Sequence, residues 1–317
     1  MKNKRLKREF LEITSLEGKF IPKKRKYIIN IAYKTGVELT PRTSEIAKAF
    51  GLGIEDEREF VIYDNLTLEI GEKDIVYITG DSGSGKSVLL KKLEEIFKNK
   101  TVNMNEVELE EKKPIIENVG ENIEEAIETL SHVGLNDAFI FLRKYPELSD
   151  GQKYRYRLAK LIESKAQIWV CDEFCSLLDR ETAKIVAYNV QKMARKLGKG
   201  VFVATCHTDL LEDLKPNIHI HKRFGKEVNV QYYNPSRDFD SECSILKQIR
   251  IEPGSRRDYL KLAEFHYRSH KLPPFRRIFK AIKNDEVVGV IVYSYPALTV
   301  SSRKLALKEK LSLRELN

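Results

Sequence analysis

Strands that alternate with helices predict an α/β fold, with a mostly parallel sheet flanked by helices and a small helical lobe. Three observations carry that expectation. A buried apolar strand, Asp74–Thr79, runs into the glycine-rich turn "GDSGSGKS" and then into a helical pattern over Lys86–Asn99. A second apolar strand, "QIWVCD", ends in the paired acids Asp172 and Glu173. A third, "GVFVAT", follows the helical pattern Glu181–Leu197 and keeps the alternation going.

Taken in order, residues 1–55 read as a basic N-terminal extension. It holds short apolar runs such as "YIINIAYKTG" and one helix in "TSEIAKAFGLG", where Ser44 stands at the N-cap and Gly51 and Gly53 stop the helix. Residues 56–232 form the main domain. It opens with alternating strands around a turn at Gly71 and continues through helical patterns at Asn122–Val133 and Gln152–Ser164. It closes on "NIHIHKRFGKEVNVQYYNP", a strand–turn–strand pattern. Residues 233–317 form a second αβ piece, with a helix in "RRDYLKLAEFHYRSH", strands in "FRRIFKAIKNDEVVGVIVYSYP" and a basic, leucine-rich tail.

The chain is 42% apolar and 32% charged, which suits a folded, water-soluble protein. It has no run of 18 apolar residues, and "MKNKRLKREFLE" lacks the apolar segment of a signal peptide. The expectation is a cytoplasmic protein without direct membrane insertion. Only four cysteines occur, which argues against a disulfide framework. Charge is uneven: residues 1–26 carry ten Lys/Arg against three acids, and residues 211–317 carry twenty-one against thirteen. Basic ends around an acidic centre leave nucleic acid or a soluble protein open as partners, beside the plainer reading of a solvated lysine-rich surface.

Gly80, Asp81, Ser82, Gly83, Ser84, Gly85, Lys86 and Ser87 satisfy the phosphate-loop pattern. Glycines let successive backbone N–H groups curve around a phosphate, Lys86 reaches the β/γ oxygens of ATP, and Ser87 offers its hydroxyl to Mg2+. Asp172 is the second metal-shell residue. Glu173 is the catalytic group that orients the attacking water.

"YPELSDGQKYRYRLAKL" narrows the field. Leu148–Gln152, followed by Arg155, resembles the signature loop of the ABC ATPase superfamily, with Asp150 in place of one glycine of the family's pair. Ser176–Asp179 resembles the family's D-loop and His207 its switch histidine. The resemblance spans residues 58–225. It implies ATP sandwiched between two copies, hence a homodimer when ATP-bound and slow Mg2+-dependent hydrolysis. Lys86, Glu173 and His207 are then catalytic. Ser149 and Gly151 meet the γ-phosphate in trans, and Asp179 lies at the dimer seam. From Val88 to Gly151 there is no glutamine, so the family's Q-loop residue has no match; Glu110 and Glu117 lie in that region. Phe60 and Tyr63 are the candidates for stacking on the base. The 63 residues from Lys86 to Ser149 are short for a transporter ATPase, which favours a soluble switch. The alternatives are an ATP-binding subunit of a membrane transporter and an ATP-switched nucleic-acid-binding module.

"DYLKLAEFHYRSHKLPPFRRIFKAI" with "DEVVGVIVYSYP" resembles the opening of a GNAT N-acyltransferase domain. The whole chain looks like archaeal proteins that fuse an ABC-type ATPase to such a domain. The superfamily's pyrophosphate pattern is missing, which implies a partial domain, or one completed by a separate chain, without acetyltransferase activity of its own. His266, Tyr267 and Arg268 fall on an amphipathic helix. Arg276 and Arg277 beside Phe275 read either as RNA contacts or as a solvated pair. His219 and His221 share one side of a strand but lack a third metal ligand.

Overall fold

The computed structural model describes residues 7–8, 11–21, 26–34, 40–51, 59–265, 272 and 274–295. Gly53, His266, Tyr267, Arg268 and the basic tail lie outside them. The chain divides into two units, Met1–Cys243 and Ser244–Asn317.

The first unit opens with β1 (Lys7–Arg8), β2 (Leu11–Ile21) and β3 (Lys26–Lys34). Helix α1 (Pro41–Ala49) follows, and β4 (Glu59–Glu69) then pairs antiparallel with β3 to complete a sheet ordered β1-β2-β3-β4. Residues expected to be an extension therefore supply core: Ile29 and Ile31 of β3 are fully buried. The N-cap of α1 is Thr40 rather than Ser44. The Thr40 hydroxyl accepts from the Thr43 N–H at 3.2 Å, and Thr43 Oγ1 accepts from the Thr40 N–H at 2.8 Å. Pro41, which has no N–H to satisfy and a preset φ, takes the first helical position, so Ser44 falls inside the first turn.

Past the turn where the Gly71 N–H donates to Asp74 Oδ2 come β5 (Ile75–Gly80) and α2 (Lys86–Ile96). Helix α2 stops short of the expected Asn99, which takes a left-handed φ of 74°. Then follow β6 (Thr101–Asn103), α3 (Ile123–His132), α4 (Ala138–Phe141), α5 (Asp150–Glu163) and β7 (Ile168–Cys171). The unit continues with α6 (Arg180–Leu197), β8 (Gly200–Thr205), α7 (Leu211–Leu214), β9 (Ile218–Lys222), β10 (Val228–Tyr232) and α8 (Pro235–Asp238).

These strands form a six-stranded sheet ordered β10-β9-β5-β8-β7-β6, parallel except for β10. The two-residue period of the strands sorts their side chains to opposite faces. Tyr77, Trp169 and Val203 join the core with residues of α3, α5 and α6. Val76, Ile78, Val170 and Phe202 join a second core with α2 and the early antiparallel strands. Both faces are thus covered, as a parallel sheet requires.

The second unit holds β11 (Arg250–Pro253), α9 (Arg256–Leu262), β12 (Phe275–Lys283) and β13 (Glu286–Ser294). Its sheet is antiparallel, ordered β11-β12-β13. The β12–β13 hairpin turns on Asn284 and Asp285, both at positive φ, as a tight two-residue hairpin demands. Among its described residues Ile245, Tyr259, Ala263, Ile278 and Ile282 are the buried apolar ones.

Candidate functional site

Strands β5, β8, β7 and β6 lie side by side and parallel, so their carboxyl ends open on one edge of the sheet, where ligands of such sheets bind. The phosphate loop leaves β5, His207 follows β8, Asp172 and Glu173 follow β7, and Asn105 follows β6. With β8 between them, the exits of β5 and β7 stand two strand spacings apart, about 10 Å.

The phosphate loop is shaped by its packing. Gly80 has φ 142°, and a Cβ there would lie 1.8 Å from the Lys222 carbonyl oxygen of β9. Gly85 has φ 102°, and a Cβ would meet Ile62 at 2.6 Å. Beneath it, the Tyr63 hydroxyl donates to the Gly85 carbonyl at 3.2 Å. Tyr63 is fully buried, so it props the loop and is not available to stack on a base; Phe60 is exposed. Gly85 caps α2 without a side chain, leaving that helix start to backbone donors. Lys86 Nζ lies across the loop, donating to the carbonyls of Gly80 at 2.9 Å and Asp81 at 2.7 Å. Asp81, Ser82 and Gly83 are exposed, whereas Ser84 is buried and its hydroxyl has no hydrogen-bond partner. Ser87, half-buried, is the second residue of α2. Ser87 and Asp172 supply hard oxygen donors, Lys86 and the loop amides supply anion donors, and an orphan hydroxyl sits inside the loop. That donor set fits a magnesium-bound phosphate chain.

Asp172 and Glu173 leave β7 in a tight turn. Glu173 takes a left-handed φ of 52°, uncommon for a residue with a side chain, and its N–H donates to Asp172 Oδ1 at 3.0 Å. Both acids line a cleft of about 290 Å³ with Asn105, Tyr154, Arg157 and Leu177 among its walls. Neither Glu110 nor Glu117 lines it; the region without glutamine brings Met104 and Asn105 there, of which Asn105 is the polar one. Sequence reasoning missed it because "TVNMNEV" fits no motif. The available signal was its place two residues past an edge strand.

Ser149 and Gly151 begin α5. Ser149 is exposed and shares a reciprocal cap with Gln152, which accepts from the Ser149 N–H at 3.0 Å. Gly151 packs near the Leu177 carbonyl. Asp179 caps α6, accepting from the Thr182 N–H at 2.9 Å, and hydrogen bonds from the Thr182 side chain first and its N–H second hold its carboxyl below the usual range. Beside it, Arg180 makes a two-pronged pair with Asp209 that ties the start of α6 to the His207 loop. Burial, then the Arg180 charge, lowers the His207 pKa from its ordinary value, which favours the neutral ring. Burial pushes the Cys171 and Cys175 thiols far up, and among the described residues no group of three or more His, Cys, Asp and Glu could hold a metal.

No family model matches the chain. It is similar to a methionine import ATP-binding protein of Clostridium tetani, 27% identical over 208 residues, covering 54% of this chain and 62% of that protein. An ABC transporter ATP-binding protein of the same organism, described as putative, is 24% identical over 282 residues, covering 76% of this chain and 63% of that protein. The chain thus spans less than two thirds of the length of these relatives. A solved dimeric ATP-binding cassette with bound ADP and phosphate is 22% identical and is matched over 56% of this chain and 94% of its own, at a TM-score of 0.44. The curated relatives support the ABC ATPase superfamily, consistent with the α/β phosphate-loop architecture described above. Both are bacterial, and neither supports an archaeal acyltransferase fusion.

Proposed function

We propose that this chain binds ATP with magnesium at the carboxyl edge of its six-stranded sheet, hydrolyses it, and works as the ATP-binding subunit of a membrane transporter. The observation that carries the reading is the pairing, on one sheet edge, of a complete phosphate loop after β5 with the Asp172–Glu173 pair after β7. Lys86 and the amides at the start of α2 stabilise charge on the β/γ oxygens. Ser87 and Asp172 would hold the magnesium ion, which draws negative charge from the phosphates when bound. Glu173 orients the attacking water and takes up its proton. His207, favoured neutral, can donate one ring N–H to the γ-phosphate. Ser149 and the start of α5, exposed on their own molecule, serve the γ-phosphate of a second copy, so ATP-loaded chains pair.

The interval between Lys86 and Ser149 favours a soluble switch on sequence grounds, but the transporter names of the relatives favour a membrane partner. The same interval supports the latter reading through its surface: Ile123 and Ile127 one turn apart on α3, and Phe139 and Leu142 on and beside α4, are all exposed apolar residues. Among the described residues no helix is long and apolar enough to cross a membrane, so that partner would supply the membrane spans.

The test is Glu173→Gln. Hydrolysis should fall by about a hundredfold with ATP binding kept; turnover at the parent rate would show that Glu173 is not the assigned group. The same variant, held in ATP and used to capture partners from detergent-solubilised membranes, should retain an integral membrane protein. Recovery of only soluble protein or nucleic acid would overturn the transporter reading.

A further inference from the structure

The cleft beside Asp172 and Glu173 holds a cation that the proposed hydrolysis does not use. Arg157, from the middle of α5, lines the same cleft as the two acids. Its Nη1 donates to Asn105 Oδ1 at 3.3 Å, while its Nε is buried without a hydrogen-bond partner. A guanidinium has no acceptor, so the amide atom facing it must be the oxygen. That fixes the Asn105 amide with its N–H donors as the part able to meet a group in the cleft. The backbone is fixed as well: the Asn105 N–H donates to Asn103 Oδ1 at 3.0 Å, and Asn103 Nδ2 donates to Glu94 of α2 at 2.7 Å. Burying a donor without a partner is unfavourable, so stability alone is a poor reason for an arginine here. Its charge beside two carboxylates, and its hold on an amide, are the better reasons.

We propose that Arg157 is a positioning residue of the hydrolytic cleft: it orients the Asn105 amide as a hydrogen-bond donor toward the reacting phosphate or water and links α5 to the turn after β6, in the cleft that the acid pair lines. The proposal rests on the ATP-hydrolysis reading above. Arg157 and Asn105 therefore act as one unit, and removing either removes the same function.

The test is a double-mutant cycle of Arg157→Ala, Asn105→Ala and the pair, with Arg157→Lys added. It is read by steady-state ATP hydrolysis over a magnesium titration, by binding of a fluorescent ATP analogue and by thermal melting. Each alanine variant should lower kcat by about tenfold or more, with KM and analogue affinity within about threefold of the parent. The double variant should be no slower than the slower single one, and the lysine, which keeps a donor, should recover part of the loss. Losses that multiply in the double variant, or parent-like kcat in Arg157→Ala, would overturn the proposal and leave the hydrolysis reading intact. Should Arg157→Ala fail to fold, Asn105→Ala decides, since that side chain is exposed, and parent-like kcat there overturns the pairing. A parent chain that does not hydrolyse ATP would overturn both.

Discussion

Two loops that leave the same sheet edge, the phosphate loop after β5 and the turn after β6, are made of different materials. The first is backbone: glycines at positive φ, carbonyls gripping Lys86, and a helix start without a side-chain cap. The second is side chains: Asn103 holds the Asn105 N–H and Glu94, and Asn105 meets Arg157. At Gly80 and Gly85 the backbone cradle admits no extra atom, while a side-chain network can lose a member and keep its fold. The two loops should therefore break differently.

Gly80→Ala should have the largest effect. Its Cβ would sit 1.8 Å from the Lys222 carbonyl, so β5 and β9 must part. A loss of more than about 4 kcal/mol is expected, read by chemical denaturation or as failure to recover folded protein. Asn103→Ala should be milder. It removes one acceptor for the Asn105 N–H and one donor to Glu94, for about 1–3 kcal/mol, with the sheet intact by circular dichroism. A loss as large as that of Gly80→Ala would erase the contrast.

The smallest effect lies under the backbone cradle. Thr79, just before Gly80, bonds His219 at 2.8 Å and His221 at 2.9 Å, and His219 stacks on Tyr77. Burial, then the neighbouring His221, lowers the His219 pKa from 6.5 to about 4. The folded protein thus keeps His219 neutral where the unfolded chain would protonate it. Its contribution to stability is complete above pH 6.5 and is lost as pH falls toward about 4. Unfolding free energies measured across that window should decline less in His219→Phe than in the parent; equal slopes would remove His219 from the support.

The same contrast explains what could be read from the sequence. The phosphate loop was legible because each position answers to a backbone constraint, and Asp172 and Glu173 because an apolar run stops dead at two acids. The strand alternation was legible because each face buries alternate residues of β5, β7 and β8. Tyr63 was misread because alternation does not tell which aromatic is covered, and its covering comes from strands distant in sequence. The N-cap of α1 was displaced because Pro41 outranks Ser44 as a helix start. Asn105 and Arg157 lie 52 residues apart and meet only in the folded chain, so no local pattern pointed to the pair.

The most direct measurement is calorimetric titration of ATP, with magnesium, into the intact chain and into Lys86→Ala. A phosphate gripped by the β5–α2 turn should bind the parent and lose about tenfold or more in affinity when the lysine is removed. Equal affinity in the two proteins, or no magnesium-dependent binding in the parent, would contradict a nucleotide site at that turn.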